Sequence, residues 1–144
     1  MVDITSKDVT TRRATASAFV RMSSATLELV MSRSLEKGDV LEVARIAGIM
    51  GAKQTADLIP LCHPIGIGAV EMGLAAAEGG LRITSTITTA ERTGVEMEAL
   101  TAVTVAALTV YDMVKGVERG VEITDVRLLS KAGGRSGEWT RPAS

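Results

Sequence analysis

Aromatic residues are almost missing from this chain: one Trp, one Tyr and one Phe among 144 residues. Without aromatic platforms, and without a block of basic residues, binding of nucleic acid by stacking or along a charged stripe is not expected. Only one cysteine is present, so no intramolecular disulfide forms, which fits a reducing, cytoplasmic setting. Only one histidine is present, which leaves Cys62 and His63 without the further ligands that a zinc site requires. Charge of one sign is lacking too: the formal net charge is −1, with acids and bases interspersed. Charge therefore contributes little to keeping copies apart. The longest uncharged run, from Ala99 to Tyr111, is short and dotted with Thr, so no membrane span is expected. Met1-Val2-Asp3-Ile4 has no basic-then-apolar leader pattern.

What is present is an aliphatic core supply of Ala, Val, Leu, Ile and Met, enough for a single domain over 1–144. Residues up to about Thr11 lack periodicity and read as a flexible arm, with Arg12 and Arg13 at its junction. From Thr15 to Met22, Ala16, Ala18, Val20 and Met22 alternate with Thr15, Ser17, Phe19 and Arg21, a strand pattern. Ser23 or Ser24 caps a predicted helix that carries Leu27, Val30, Met31 and Leu35 on one face. Lys37-Gly38 breaks it. Asp39 and Glu42 form a capping-box pattern opening a second helix to about Asp57, with Val43, Ile46, Ala47 and Met50 as its expected core face. Pro60 ends it, and the stiff Leu61-Cys62-His63-Pro64 elbow follows.

Ile67–Ala77 and Leu81–Ala90 flank Glu78-Gly79-Gly80 and predict a hairpin. A long helix is expected from about Val95 to Lys115, a last strand from Val121 to Leu129, and a flexible tail from about 132. This order predicts an α+β, ferredoxin-like sandwich with helices on one face of an antiparallel sheet. Its open face calls for cover, and a homo-oligomer is the expected solution.

Candidate chemistry collects in a few places, and each residue has a plainer alternative. His63 is a proton carrier or a hydrogen-bonded structural residue. Cys62 is better placed as a small core residue than as a nucleophile, since neighbours on an extended elbow point apart. On the long helix, Glu96 and Glu98 stand at the start, Asp112 and Lys115 at the end, and no charge lies between Glu98 and Asp112. These two acids share roughly a face but stand about 21 Å apart at 1.5 Å per residue. An antiparallel copy of the helix brings one chain's Glu98 towards the other's Asp112, so the spacing permits a site shared between subunits. The alternative is dipole complementation and an i,i+3 surface pair. Lys37 is an anion-binding group at a helix start or a solvated loop lysine. Lys131-Ala132-Gly133-Gly134-Arg135-Ser136-Gly137 is an anion-cradling loop or a plain tail, and it is not a P-loop. Arg12 clamps phosphate or is merely a charge at a frayed end.

Six strings together resemble one family: Lys37-Gly38-Asp39-Val40; Ala44-Arg45-Ile46-Ala47-Gly48-Ile49; Ala52 through Leu61-Cys62-His63-Pro64; Thr93-Gly94-Val95-Glu96-Met97-Glu98-Ala99; Tyr111-Asp112-Met113; and Lys131 to Gly137. In this order they are similar to the molybdenum cofactor biosynthesis protein C family, the cyclic pyranopterin monophosphate synthases, over about Asp3 to Gly137. The resemblance implies a small-molecule substrate, a cyclised guanosine triphosphate, rearranged to cyclic pyranopterin monophosphate with release of pyrophosphate. It implies no metal or redox cofactor, and a hexamer built as a trimer of dimers with sites at dimer interfaces. It implies catalytic roles for Asp112, Lys37 and Lys115, and substrate contacts by Leu61, Cys62, His63, Glu96, Met97, Glu98, Arg12 and Lys131. A departure from the family pattern is Val114, which stands where a cysteine is frequent. The competing function class is a nucleotide-sensing module that binds without turnover. The density of Lys and Asp argues for the enzyme.

Overall fold

A computed structural model describes residues 1–143. Its elements are β1 (Thr10–Arg21), α1 (Ser24–Met31), α2 (Val40–Lys53), α3 (Thr55–Leu58), β2 (Ala69–Ala77), β3 (Gly80–Glu91), α4 (Glu96–Val114), β4 (Glu122–Ala132) and β5 (Trp139–Thr140). The five strands form one sheet in the order β2-β3-β1-β4-β5, every neighbour antiparallel. Helices pack on one side. The architecture is the expected α+β ferredoxin-like sandwich, with β5 added at the edge beyond β4.

The helix-facing set of β1 and of β3 is buried as expected, while Ser17 and Phe19 on the other face of β1 are also only 2% and 6% exposed. On β1, Ala14, Ala16, Ala18 and Val20 are buried, and on β3 Leu81, Ile83, Ser85 and Ile87 are buried opposite them. The one hydroxyl in this apolar layer is satisfied, because Ser85 Oγ donates to the Ala99 carbonyl of α4 at 2.8 Å. The β2–β3 hairpin turns at Glu78 and Gly79, and Gly79 takes a φ of 87° that favours glycine. β1 starts at Thr10, two residues before the expected junction, so Arg12 and Arg13 belong to the sheet.

α4 is the central helix. It is long and apolar enough to cross a bilayer on length and composition, yet ten of its 19 residues are buried against the sheet and α2. Both expected helix starts are present. Ser23 Oγ accepts from the Thr26 N–H, and Asp39 accepts from the Glu42 N–H. The reciprocal half of the second box is not made, because the Glu42 carboxylate pairs with Arg45 instead.

The expected core face of α2 is a correction. Val43, Ile46 and Met50 are 44%, 47% and 53% exposed, and the buried residues are Val40, Ala44, Gly48, Gly51 and Ala52. The reason is close approach. A Cβ on Gly51 would stand 2.9 Å from the Val105 Cβ of α4, and one on Gly48 3.0 Å from the Ala102 carbonyl oxygen. Two helices this near accept only small side chains between them, so the large ones on α2 face outward.

Candidate active site

The elbow after α3 is held by β3. The Gly66 N–H donates to Glu91 Oε1 at 3.0 Å, the Thr89 hydroxyl donates to the Gly66 carbonyl, and the Gly68 N–H donates to the Thr88 carbonyl at 2.8 Å. These bonds set Leu61, Cys62 and His63 against the first turn of α4. Together with Glu96, Met97 and Glu98 they line a hollow of about 390 Å³. Its remaining wall includes Thr93, Gly94 and, from the N-terminal arm, Ile4 and Lys7.

Cys62 and His63 therefore border the same hollow. Cys62 is half-buried rather than a core residue. Burial, reinforced by the nearby Glu98 charge, pushes its thiol above the ordinary value, the opposite of what a thiolate nucleophile needs. Glu98 is only 4% exposed, and burial pushes its carboxyl up, with the Glu96 charge adding to the effect. Glu96 bends back over Gly94, where a Cβ would collide with its carboxylate.

Arg12 lies on the helix-facing side of β1 in phase with Ala14, and it is 7% exposed. Its Nε donates to the Glu91 carbonyl at 2.8 Å, so Glu91 anchors both the elbow and this guanidinium. No carboxylate faces Arg12 among the described ion pairs. The glycines of the C-terminal string fit closely around it: a Cβ on Gly134 would strike Arg12 Nη1. Lys131 pairs with Ala14 across the sheet and so shares that side. It contacts the Ser136 hydroxyl and lines a second hollow that also contains Glu96.

Lys37, Asp112 and Lys115 form a separate group at the other end of α4. Lys37 Nζ donates to the Asp112 carbonyl at 2.8 Å and stands 3.8 Å from its carboxylate, and Lys115 Nζ reaches the same carboxylate at 3.0 Å. Lys115 first, then Lys37, hold the Asp112 carboxyl below the usual carboxylate range. All three side chains are at least half exposed. Beside them lies a hollow of about 470 Å³ lined by Leu35, Lys37, Tyr111, Lys115 and Arg119.

One chain thus brings together Leu61, Cys62, His63, Glu96, Met97 and Glu98, with Arg12 and Lys131 adjoining. It keeps Asp112, with Lys37 and Lys115 beside it, away from Glu98, the two acids standing roughly 21 Å apart along the helix. Sequence reasoning missed Lys7, Glu91 and Trp139. The first two lie in stretches without motif character; the single tryptophan was itself a signal. Among the described residues, no three His, Cys, Asp or Glu side chains converge as a metal site.

A profile of the MoaC family matches residues 1–134. A protein of Streptomyces coelicolor named cyclic pyranopterin monophosphate synthase is 57% identical over 98% of this chain and 83% of its own length. One of Cereibacter sphaeroides with the same name is 59% identical over 99% of this chain and 91% of its own. One of Mycobacterium bovis, named cyclic pyranopterin monophosphate synthase 3, is 58% identical over 98% and 80%.

Proposed function

The chain belongs to the MoaC family, and from that premise we propose that it is a cyclic pyranopterin monophosphate synthase acting in molybdenum cofactor biosynthesis. Its substrate is the cyclised guanosine triphosphate and its second product is pyrophosphate. The observation that carries this reading is the pair of unlike groups at the two ends of α4. One is a hollow in which the buried Glu98 joins His63 and Glu96, and the other a solvated cluster of two lysines on one aspartate.

The chemistry fits those groups. Guanine-type N–H edges are donors, and Glu96 and Glu98 are acceptors for them. Ring opening and pterin closure move protons in both directions, which suits Lys37 and Lys115 flanking Asp112. The cyclic phosphate forms when a hydroxyl of the sugar-derived part attacks the α-phosphorus. The bond to the bridging oxygen of the pyrophosphate then breaks, and the hydroxyl proton passes to a base. Arg12, Lys37, Lys115 and Lys131 supply charge to neutralise the leaving pyrophosphate.

A site of this kind needs both groups near one substrate, and a second chain supplies the missing half. The outward apolar strip of Val43, Ile46 and Met50 on α2, with Leu108 exposed on α4, supports burial against another copy. The assembly we propose is a homo-oligomer, a hexamer arranged as a trimer of dimers. The deciding experiment supplies the cyclised triphosphate and follows pyrophosphate and pterin product. Formation of both is expected; tight binding without either product would instead identify a nucleotide-sensing module.

A further inference from the structure

The proposed reaction leaves one conspicuous residue unused. Trp139 is the sole tryptophan of a chain nearly devoid of aromatics. β5 consists of Trp139 and Thr140, and its pairing sets Trp139 directly opposite Lys131. Lys131 in turn pairs with Ala14, a core-facing residue, so in this register Trp139 stands on the side of the sheet that carries the helices. The Arg141 guanidinium lies over the indole, 5.6 Å from the ring centroid. It is tethered there: its Nε donates to the Leu128 carbonyl and its backbone N–H to the Leu129 carbonyl, both at 2.7 Å. The indole is backed by a fixed cation and is still 40% exposed.

The ring borders a hollow of about 360 Å³ that also contains Glu96, Leu128, Lys131, Ser136 and Glu138. Glu96 belongs to the His63 hollow as well, so the two hollows meet at its carboxylate. An aromatic face, a carboxylate and an ammonium around one hollow match the parts of a guanine nucleotide. The ring stacks on the indole, its donor edge meets the carboxylate, and phosphate meets the ammonium. Resting on the synthase reading, we infer that Trp139 is the stacking surface for the guanine-derived ring of the substrate, and a determinant of its affinity.

The unmodified protein tests this through its own fluorescence, since Trp139 is the only indole. Titration with GTP, a stable stand-in carrying the same type of ring, is expected to quench the emission, and inorganic tripolyphosphate is not. Equal responses to the two, or none to GTP, overturn the inference. In the turnover assay, Trp139→Leu is expected to raise KM about five- to hundredfold with kcat nearly kept, and Trp139→Phe to restore most of the affinity. A Leu variant matching the parent enzyme overturns stacking, because it keeps the apolar bulk. The titration reads ring binding irrespective of turnover. A chain that quenches with GTP and forms no product keeps this inference and loses the synthase reading; one that forms product without quenching does the reverse.

Discussion

At the start of α4 the Glu98 carboxyl is shut away from water, whereas at the end of the same helix the Asp112 carboxyl stands in water between two lysines. Burial pushes the first up and the lysines pull the second down. One helix therefore carries two carboxyl groups tuned in opposite directions by their surroundings, a division of labour suited to acid and base chemistry. The difference also separates structure from function. Glu98 imposes a desolvation cost on the fold, whereas the exposed Asp112 cluster contributes little to stability, so its cost of removal should appear in activity.

The largest effect is expected from removing the solvated end. Lys37→Ala and Asp112→Ala should each lower turnover by roughly 10²- to 10⁴-fold. Their melting temperatures and oligomeric state should match the parent protein, read by calorimetry and light scattering. Dissociation or a large loss of melting temperature in either variant would return the cluster to a purely structural role.

A smaller signal tests whether the two ends meet across chains. An inactive His63→Ala variant and an inactive Asp112→Ala variant are mixed, dissociated and reassembled. If each site takes one end of α4 from each partner, about a quarter of the sites regain both intact ends. Recovered turnover near that level is the expected outcome, and mixtures as inactive as their parents would place the whole site within one chain.

The smallest effect concerns the buried end and is read as stability against pH. Because the folded Glu98 carboxyl is raised, the unfolded chain gives up this proton first as pH rises. Stability is therefore lost as pH climbs from the ordinary carboxyl range through the raised value, and the loss levels off above it. Glu98→Gln should melt higher than the parent at neutral pH, with the gap closing below the ordinary carboxyl range. A Gln variant that melts lower than the parent at neutral pH would mean that Glu98 is ionised in the fold and paired, and a gap that stays constant with pH would mean that folding leaves its carboxyl unshifted.

Much of this molecule is legible in the order of its residues. The two-residue alternation of β1 and β3, Ser23 and Asp39 as caps, and the glycine at the hairpin turn all express local backbone physics. The ferredoxin-like order follows from them. The face of α2 was not legible, because apolar periodicity on a helix marks a surface for burial without saying against what. Gly48 and Gly51 claimed the contact with α4, and Val43, Ile46 and Met50 were left outside. At the site, the motif residues could be named from their strings, but their grouping could not. Arg12 read as either a phosphate clamp or a charge at a frayed end, and the second reading falls because it lies in the sheet under Gly134. Cys62 read as a core residue and instead walls a hollow beside His63.

By itself, then, the sequence determined the elements, their order and the inventory of polar groups, since capping, alternation and turn conformation act over a few residues. The tertiary structure alone decided which polar groups lose water and which keep it. Desolvation depends on what packs around a group from distant parts of the chain, such as the elbow and the N-terminal arm that share a hollow with Glu98. No spacing along the chain encodes that environment.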